Sequence, residues 1–145
     1  MTKTHWLPKR YQQAIPCFTV EGVERLLDFV SKAFEAQIVE TTRRADGKIG
    51  HAEARIGDCV LMMGESSEQW PVRPGQVYLY VPDVDATYQR ALEAGAATVM
   101  APVDTFYGDR NAGVTDPTGN LWWLATHVED VPEAELEARA RAAGR

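Results

Sequence analysis

The chain consists of two successive segments that present the same order of secondary-structure signals. The first, from about residue 14 to 65, contains a strand-like run, an amphipathic helical stretch and three further strand-like runs. The second, from about residue 76 to 127, repeats the same order of strand, helix, strand, strand, strand. A chain of 145 residues is long enough for one compact domain with a real core. The internal repeat therefore predicts an α+β fold made of two βαβββ modules.

The two helical stretches show the clearest periodicity. In "GVERLLDFVSKAF" the apolar residues that share one face are Val23, Leu26, Leu27, Val30 and Phe34. In "DVDATYQRALEAG", Asp83 is placed as the N-cap and Gly95 as the residue that ends the helix. The predicted buried face of this second helix is formed by Val84, Tyr88, Ala91 and Leu92.

The strands are predicted from runs of strand-forming residues between turn signals. In the first half these runs are "AIPCFTV", "QIVETTR", "IGHAEARI" and "CVLMMG"; in the second they are "QVYLYV", "ATVMAPVDTFY", a short "AGVT" that follows a turn at Gly108-Asp109, and "LWWLAT". The segment "ESSEQWPVRPG" is predicted to be a linker. Residues 1–13 are predicted to be an N-terminal extension, residues 14–131 the single domain, and residues 132–145 a C-terminal helix or tail.

Composition excludes several classes of partner. The formal net charge is −6 and no cluster of Lys and Arg offsets it, which disfavours nucleic acid and anionic membrane surfaces. No apolar run approaches the roughly 20 residues that span a bilayer, and "MTKTHWLPKRYQQ" lacks the apolar region of a secretory signal, so a cytoplasmic location is expected. Cys17 and Cys59 lie in strand-like runs without a Cys-x-x-Cys spacing; buried free thiols are expected rather than a disulfide.

Three longer phrases carry a family resemblance. They are "GHAEARIGDCVLMM", "YLYVPDVDATYQRALEAGA" and "YGDRNAGVTDPTGNLWWLATHVEDV", and they belong to the stretch from Ala14 to Val131. With the paired βαβββ pattern, they resemble the vicinal oxygen chelate superfamily of glyoxalases, bleomycin-resistance proteins and extradiol dioxygenases, and within it PhnB-like members. The resemblance implies two modules curled around a shared cavity, a small-molecule ligand and a homodimer. It leaves open whether the modules pair within one chain or between chains.

The resemblance also marks where metal-dependent members hold their ion. Carried over to this chain, the ligand positions fall near Ile15, at Leu61 or Met62, at Gln76 and at Trp123. Of these residues only Gln76 is expected to bind a metal at all, and carboxamides are weak metal ligands. We therefore expect neither a family-type metal site nor a cofactor.

A second constellation lies in "GHAEARIG". His51, Glu53 and Arg55 fall at strand period and share one face of the sheet. If that face lines the cavity, His51 and Glu53 are candidate catalytic residues, as an acid–base pair or as unconventional metal ligands; PhnB-like relatives often carry a similar His-Ala-Glu phrase. The alternative is a solvated polar face. His127, at the exit of the last strand, is expected to be structural.

Aromatic residues form the candidate ligand-binding set. In "NLWWLAT", alternation places one of Trp122 and Trp123 on each face of the strand, and Trp123, at the family's ligand position, is expected to face the cavity. The full predicted set is Gln76, Tyr78, Tyr80, Met62, Phe106, Tyr107, Arg110 and Trp123. Such residues suit a flat apolar ligand, with Arg110 at the mouth to bind a carboxylate or phosphate. The alternatives are a closed aromatic core and a surface arginine.

Three functions are compatible with these residues. The first is a binding protein that sequesters an aromatic or amphipathic small molecule without a metal. The second is a metal-dependent lyase, isomerase or dioxygenase with an unconventional site. The third is a metal-free enzyme in which Glu53 and His51 transfer protons.

Overall fold

The computed structural model describes residues 3–145; Met1 and Thr2, which open the predicted N-terminal extension, lie outside the described residues. The chain divides into two compact units, the first ending at Gly75 and the second running from Gln76 to Arg145. Each unit has the order strand, helix, strand, strand, strand, so the predicted α+β repeat is confirmed.

The first unit contains one helix and four strands. They are β1 (Cys17–Val20), α1 (Val23–Phe34), β2 (Gln37–Arg43), β3 (Ile49–Ile56) and β4 (Cys59–Glu65). The strand order in the sheet is β1-β4-β3-β2. The short β1 pairs in parallel with β4, whereas the other neighbours are antiparallel. The connection through α1 makes the parallel pairing possible, because a tight turn joins only antiparallel strands.

The second unit repeats this topology and adds a C-terminal helix. Its elements are β5 (Gln76–Tyr80), α2 (Val84–Glu93), β6 (Ala97–Asp104), β7 (Asp109–Thr115), β8 (Leu121–His127) and α3 (Glu133–Ala142). The strand order is β5-β8-β7-β6, with β5 and β8 parallel. No helix within residues 3–145 is long and apolar enough to cross a bilayer.

Each of the first two helices buries its apolar face against its own sheet. All five residues predicted for α1 are buried. At α2 the Asp83 side chain accepts the Ala86 backbone N–H at 3.1 Å, which confirms the predicted N-cap. The prediction that Leu92 is buried is wrong, and Thr87 is buried in its place. The buried face of α2 is centred on Val84 and Ala91, whereas Leu92 lies at the edge of that face.

The turn between β7 and β8 is built around the buried carboxylate of Asp116. This carboxylate accepts the backbone N–H of Thr118 at 2.7 Å and the side-chain amide of Asn120 at 3.0 Å. It also accepts the indole N–H of Trp122 at 2.7 Å. The turn therefore holds Trp122, which is fully buried, on the face of the sheet that α2 covers.

Strand β7 begins earlier than the sequence predicts. The sequence predicts a turn at Gly108-Asp109 and a short strand from Ala112, but in the structure the strand runs from Asp109. Asp109 and Asn111 are polar residues that ordinarily signal a turn. They are accommodated inside the sheet because tyrosine and histidine side chains from β5 and β8 hydrogen-bond to them.

The two cysteines are free, as predicted, but both are exposed rather than buried. Cys17 is the first residue of β1 and Cys59, which follows the Gly57-Asp58 turn, is the first residue of β4. The apolar neighbours of the two cysteines correctly predict the strands, but they do not predict how deeply the first residue of each strand is buried.

Candidate functional site

The face of the second sheet opposite α2 carries the side chains that form a pocket. Alternation along β8 buries Trp122 and Leu124 on the helix side and places Trp123 on the opposite face. Trp123 pairs with Gly113 of β7 and with Tyr78 of β5, so these residues share that face. The arrangement brings aromatic side chains from β5 and β8 next to the polar residues of β7.

A cavity of about 470 Å³ lies against this face. Its side-chain lining includes Tyr78, Met100, Phe106, Tyr107, Asn111 and Trp123, and the C-terminal residues Ala143 and Arg145 also contribute. The volume falls within the range of small-molecule sites, and the lining combines aromatic and thioether groups with polar residues that include Asp104, Thr105 and Asn111. The second unit therefore contains a pocket with the size and chemistry of a binding site.

Trp123 is fixed in this pocket by two neighbours. Its indole Nε1 donates to the Gln76 side-chain oxygen at 2.6 Å. Its six-membered ring lies across Gly113, where an added Cβ would stand 2.6 Å from the ring. A side chain at Gly113 would displace the ring, so glycine is what allows the indole to lie flat on the sheet.

Asn111 is the most buried polar side chain of the pocket lining, with 3% of its surface exposed. Its Nδ2 donates to the Tyr107 hydroxyl at 2.9 Å and to the Tyr78 hydroxyl at 3.2 Å. Within residues 3–145, its Oδ1 has no hydrogen-bond partner. The pocket therefore has a buried acceptor whose hydrogen-bonding capacity is unused.

Asp109 organises the polar side of this face. Its buried carboxylate accepts the hydroxyls of Tyr78 at 2.6 Å and Tyr80 at 2.8 Å, and it contacts His127 Nδ1 at 3.0 Å. Burial raises the pKa of Asp109, but the hydrogen bonds from Tyr78, His127 and Tyr80 outweigh it, so the net pKa is lowered. Burial and the bond to Asp109 raise the pKa of Tyr78, which keeps its hydroxyl a donor.

His127 lies between two carboxylates. Its Nδ1 is 3.0 Å from Asp109 Oδ1 and its Nε2 is 2.7 Å from Asp130 Oδ1. Ionised carboxylates only accept hydrogen bonds, so the two contacts favour the protonated ring, which has a donor at each nitrogen. The bonds to Asp130 and Asp109 correspondingly raise the pKa of His127. The arrangement confirms the hydrogen-bonding role expected for this residue.

A second cluster of polar residues lies on the first sheet. Glu53, 2% exposed, accepts the Tyr11 hydroxyl at 2.8 Å and contacts His51 Nε2 at 2.9 Å. The Arg10 guanidinium is 2.8 Å from Glu40 and 3.7 Å from Glu53. Side-chain ligand atoms of Glu40, His51 and Glu53 lie within 4.8 Å of one another. Part of the N-terminal segment thus covers the predicted His51–Glu53 pair.

The cluster keeps Glu53 ionised in spite of its burial. Burial raises the pKa of Glu53, but the hydrogen bonds from His51 and Tyr11 and the charge of Arg10 outweigh it and lower the pKa overall. Burial and the bond to Glu53 raise the pKa of Tyr11. Chemically, the cluster can hold a cation or exchange a proton, but Tyr11 and Arg10 already occupy the carboxylate.

The structure separates the predicted site residues into three groups. Tyr78, Phe106, Tyr107 and Trp123 line the pocket of the second unit, with Gln76 bonded to Trp123 and Tyr80 to Asp109. His51, Glu53 and Met62 belong to the first unit, where Met62 pairs with Glu53 across β3 and β4. Arg110 joins neither group. It precedes Asn111 on β7 and points to the opposite face, where it pairs with Asp85 and Asp104.

Sequence reasoning missed several residues that complete these groups. In the second unit they are Met100, Asp109, Asn111 and Gly113. The period-two spacing of Asp109, Asn111 and Gly113 is the signal that identifies them, but the Gly108-Asp109 turn signal masked it. In the first unit, no local pattern connects Tyr11 to Glu53, because their contact spans 42 residues.

The His127 network predicts a pH dependence of stability. Because the folded-state pKa of His127 is raised above the ordinary value of 6.5, its contribution to stability is complete below pH 6.5 and is lost as the pH rises through the raised pKa. We expect the free energy of unfolding of His127→Gln, measured by denaturant titration, to fall less across this pH range than that of the parent protein. His5→Gln, in the exposed N-terminal segment, is the matched control; equal pH dependence of His127→Gln and the parent would contradict the assignment.

Known proteins with a similar sequence or structure match most of the length of this chain. The chain is 35% identical over 140 residues to an uncharacterised protein of Mycobacterium bovis, with 89% of this chain and 92% of that protein covered. Among solved structures, it is similar to TioX from Micromonospora sp. ML1, at 26% identity and a TM-score of 0.64, covering 79% of this chain and 99% of TioX. It also shares its fold with TnmS3, an antibiotic binding protein from Streptomyces sp. CB03234, at 23% identity and a TM-score of 0.61, covering 80% of this chain and 97% of TnmS3.

A family sequence model accounts for most of the chain. The model of the Glyoxalase/Bleomycin resistance protein/Dioxygenase superfamily matches residues 13–124, which include both βαβββ units almost completely. Together with the repeated topology and the 35% identical relative, this match establishes the family of the chain. The chain belongs to the glyoxalase/bleomycin resistance protein/dioxygenase superfamily.

Proposed function

We propose that the protein binds and sequesters a flat aromatic or amphipathic small molecule, without a metal and without chemical conversion. The observation that carries this proposal is the 470 Å³ pocket of the second unit, with its aromatic and methionine lining. Trp123 is held flat by Gly113 and Gln76 before any ligand arrives. Pre-positioned rings bind with a smaller loss of conformational freedom than rings that must be ordered.

The likeness to TnmS3, an antibiotic binding protein, supports a binding function for this fold. At 23% identity the likeness extends to the fold alone, so the class of ligand is inferred from the pocket of this chain. The aromatic lining favours planar rings, which bury area against Trp123 and stack on it.

Metal independence is part of the proposal because the residues at the family's ligand positions do not fit a metal. Ile15, Leu61 and Trp123 offer no suitable donor, and Met62 offers only a thioether. The Gln76 oxygen already accepts the Trp123 N–H at 2.6 Å. The donor set of this chain thus lacks the carboxylate and imidazole groups on which metal chemistry at those positions depends.

The proposal predicts that Trp123→Ala weakens binding of a planar aromatic probe. With indole as the probe, we expect the Kd from ¹H–¹⁵N NMR titration to rise about tenfold, since the variant loses stacking and buried area. Trp70→Ala is the matched control, because Trp70 is exposed and belongs to the first unit. Unchanged affinity in Trp123→Ala, or equal losses in the two variants, would contradict a site at Trp123.

A second candidate function rests on the cluster of the first unit. Three potential ligand atoms from Glu40, His51 and Glu53 lie within 4.8 Å, which favours an enzyme with an unconventional metal site. A divalent cation there would displace Arg10 from Glu40 and the Tyr11 hydroxyl from Glu53. The same His51–Glu53 pair, without a metal, is the candidate for proton transfer. We prefer sequestration because Tyr11 and Arg10 cover Glu53, whereas the pocket at Trp123 has room for a small molecule.

Metal content separates the two functions. For protein purified without chelator or nickel affinity, we expect elemental mass spectrometry to find no stoichiometric metal, because Arg10 already supplies the cluster's cation. About one Zn, Mn, Fe, Co or Ni per chain would contradict the proposal and favour the second candidate. In that case Glu53→Gln must abolish the binding, whereas Glu24→Gln, an exposed glutamate of the same unit, must retain it.

A homodimer is also part of the proposal. The edge strands β2 and β6 carry exposed apolar residues, namely Ile38, Val39, Val99 and Val103. Exposed apolar edge strands favour association with another copy of the chain. We expect sedimentation velocity to give the mass of a dimer at micromolar concentration. A single species at the monomer mass of 16.1 kDa would contradict this.

Two narrower assignments complete the proposal. The phrase His51-Ala52-Glu53 supports placement in the PhnB-like branch of the superfamily. The two exposed free thiols, Cys17 and Cys59, support a reducing, cytoplasmic location, since paired exposed cysteines are typical of oxidising compartments.

A further inference from the structure

The pocket of the second unit contains one polar group that its surroundings leave unsatisfied. Asn111 is 3% exposed and lines the cavity together with Tyr78, Tyr107 and Trp123. Its Oδ1 has no partner among residues 3–145. Buried side-chain oxygens are nearly always paired, so an orphaned one in a binding pocket points to a ligand group that pairs with it.

The hydrogen bonds around Asn111 determine which end of its side-chain amide is unpaired. The Tyr78 hydroxyl gives its hydrogen to Asp109 at 2.6 Å, so its oxygen can only accept from Asn111. The Asn111 atom that faces Tyr78 must therefore be the amide nitrogen. The second hydrogen of that nitrogen is donated to Tyr107 at 2.9 Å. Both donors of the amide are used, and its unpaired end is the acceptor oxygen.

The required partner is a hydrogen-bond donor. A carboxylate or phosphate brings only acceptors, so it leaves this oxygen unpaired. A neutral N–H or O–H satisfies the oxygen without adding charge. Because Oδ1 has almost no accessible surface in the free protein, neighbouring side chains must shift to admit the ligand, whose donor lies on its leading edge.

We propose that the pocket selects planar aromatic ligands that carry an N–H or O–H donor on their inner edge, with Asn111 Oδ1 as the acceptor. This inference rests on the proposed binding function and specifies the ligand class of the same site. The rings around Asn111 provide stacking that every flat aromatic shares. The Asn111 oxygen distinguishes between ligands of equal shape, because only a ligand with a donor pairs the acceptor that the free protein leaves unpaired.

The experiment compares three probes of similar shape. Indole has a ring N–H; benzofuran replaces it with an oxygen and 1-methylindole with a methyl group. Each is titrated into the full chain and followed by ¹H–¹⁵N NMR, where the indole N–H signal of Trp123 reports on the pocket and those of Trp6 and Trp70 report on exposed positions. We expect indole to bind roughly tenfold more tightly than either analogue.

The variant Asn111→Leu removes the acceptor at similar volume, and we expect it to bind indole and benzofuran equally. Equal affinities of the parent protein for all three probes, with shifts at Trp123, would overturn the donor selection and leave the aromatic site standing. No shift at Trp123 with any probe would overturn the binding site itself. If Asn111→Leu does not fold, the ratios measured on the parent protein decide between these outcomes.

Discussion

The buried carboxylate of Asp116 is the interaction on which the arrangement of the second unit depends. Within one short turn it binds the backbone of Thr118, the amide of Asn120 and the indole of Trp122. By holding Trp122 on the helix side, it sets the parity of β8, so that Trp123 lies on the opposite face. A slip of one residue would exchange the two tryptophans and remove the indole from the pocket. The β7–β8 turn therefore determines which of the two indole rings lies in the pocket.

Each unit also contains a buried carboxylate on the sheet face that its first helix does not cover. In both units, hydrogen bonds from neighbouring side chains compensate for the hydration that the carboxylate loses. Glu53 is held by Tyr11 and His51, and Asp109 by Tyr78, Tyr80 and His127. Hydroxyl and imidazole donors replace the lost hydration, and in both cases the net pKa is lowered despite burial. The two units differ in whether the surroundings of the carboxylate are covered or line a pocket. In the first unit, residues 10 and 11 cover the carboxylate, whereas in the second the supporting tyrosine also lines a pocket.

Much of the fold could be predicted from local pattern. Alternation indicates β3 as Ile49–Ile56 and β2 as Gln37–Arg43 with the bounds that the structure shows, because both strands lie between clear turn signals. The candidate site was only partly predictable. The aromatic residues Tyr78 and Trp123 follow from strand parity, but Asn111 and Asp109 resemble turn residues until their partners on β5 and β8 are known. Arg110 is predicted at the cavity mouth from its place in the Gly108-Asp109 turn region, whereas in the structure it lies within β7 and pairs with Asp85 and Asp104.

The sequence by itself determined the two βαβββ units and the Asp83 N-cap of α2, because these depend on residue type and spacing within short windows. Tertiary structure decided which polar groups are paired. The Tyr78 hydroxyl reaches Asp109 across 31 residues of chain, and this bond determines that the unpaired end of Asn111 is its oxygen. Hydrogen-bond satisfaction is a property of three-dimensional neighbours, so the polarity of the pocket is defined only when the sheet has formed.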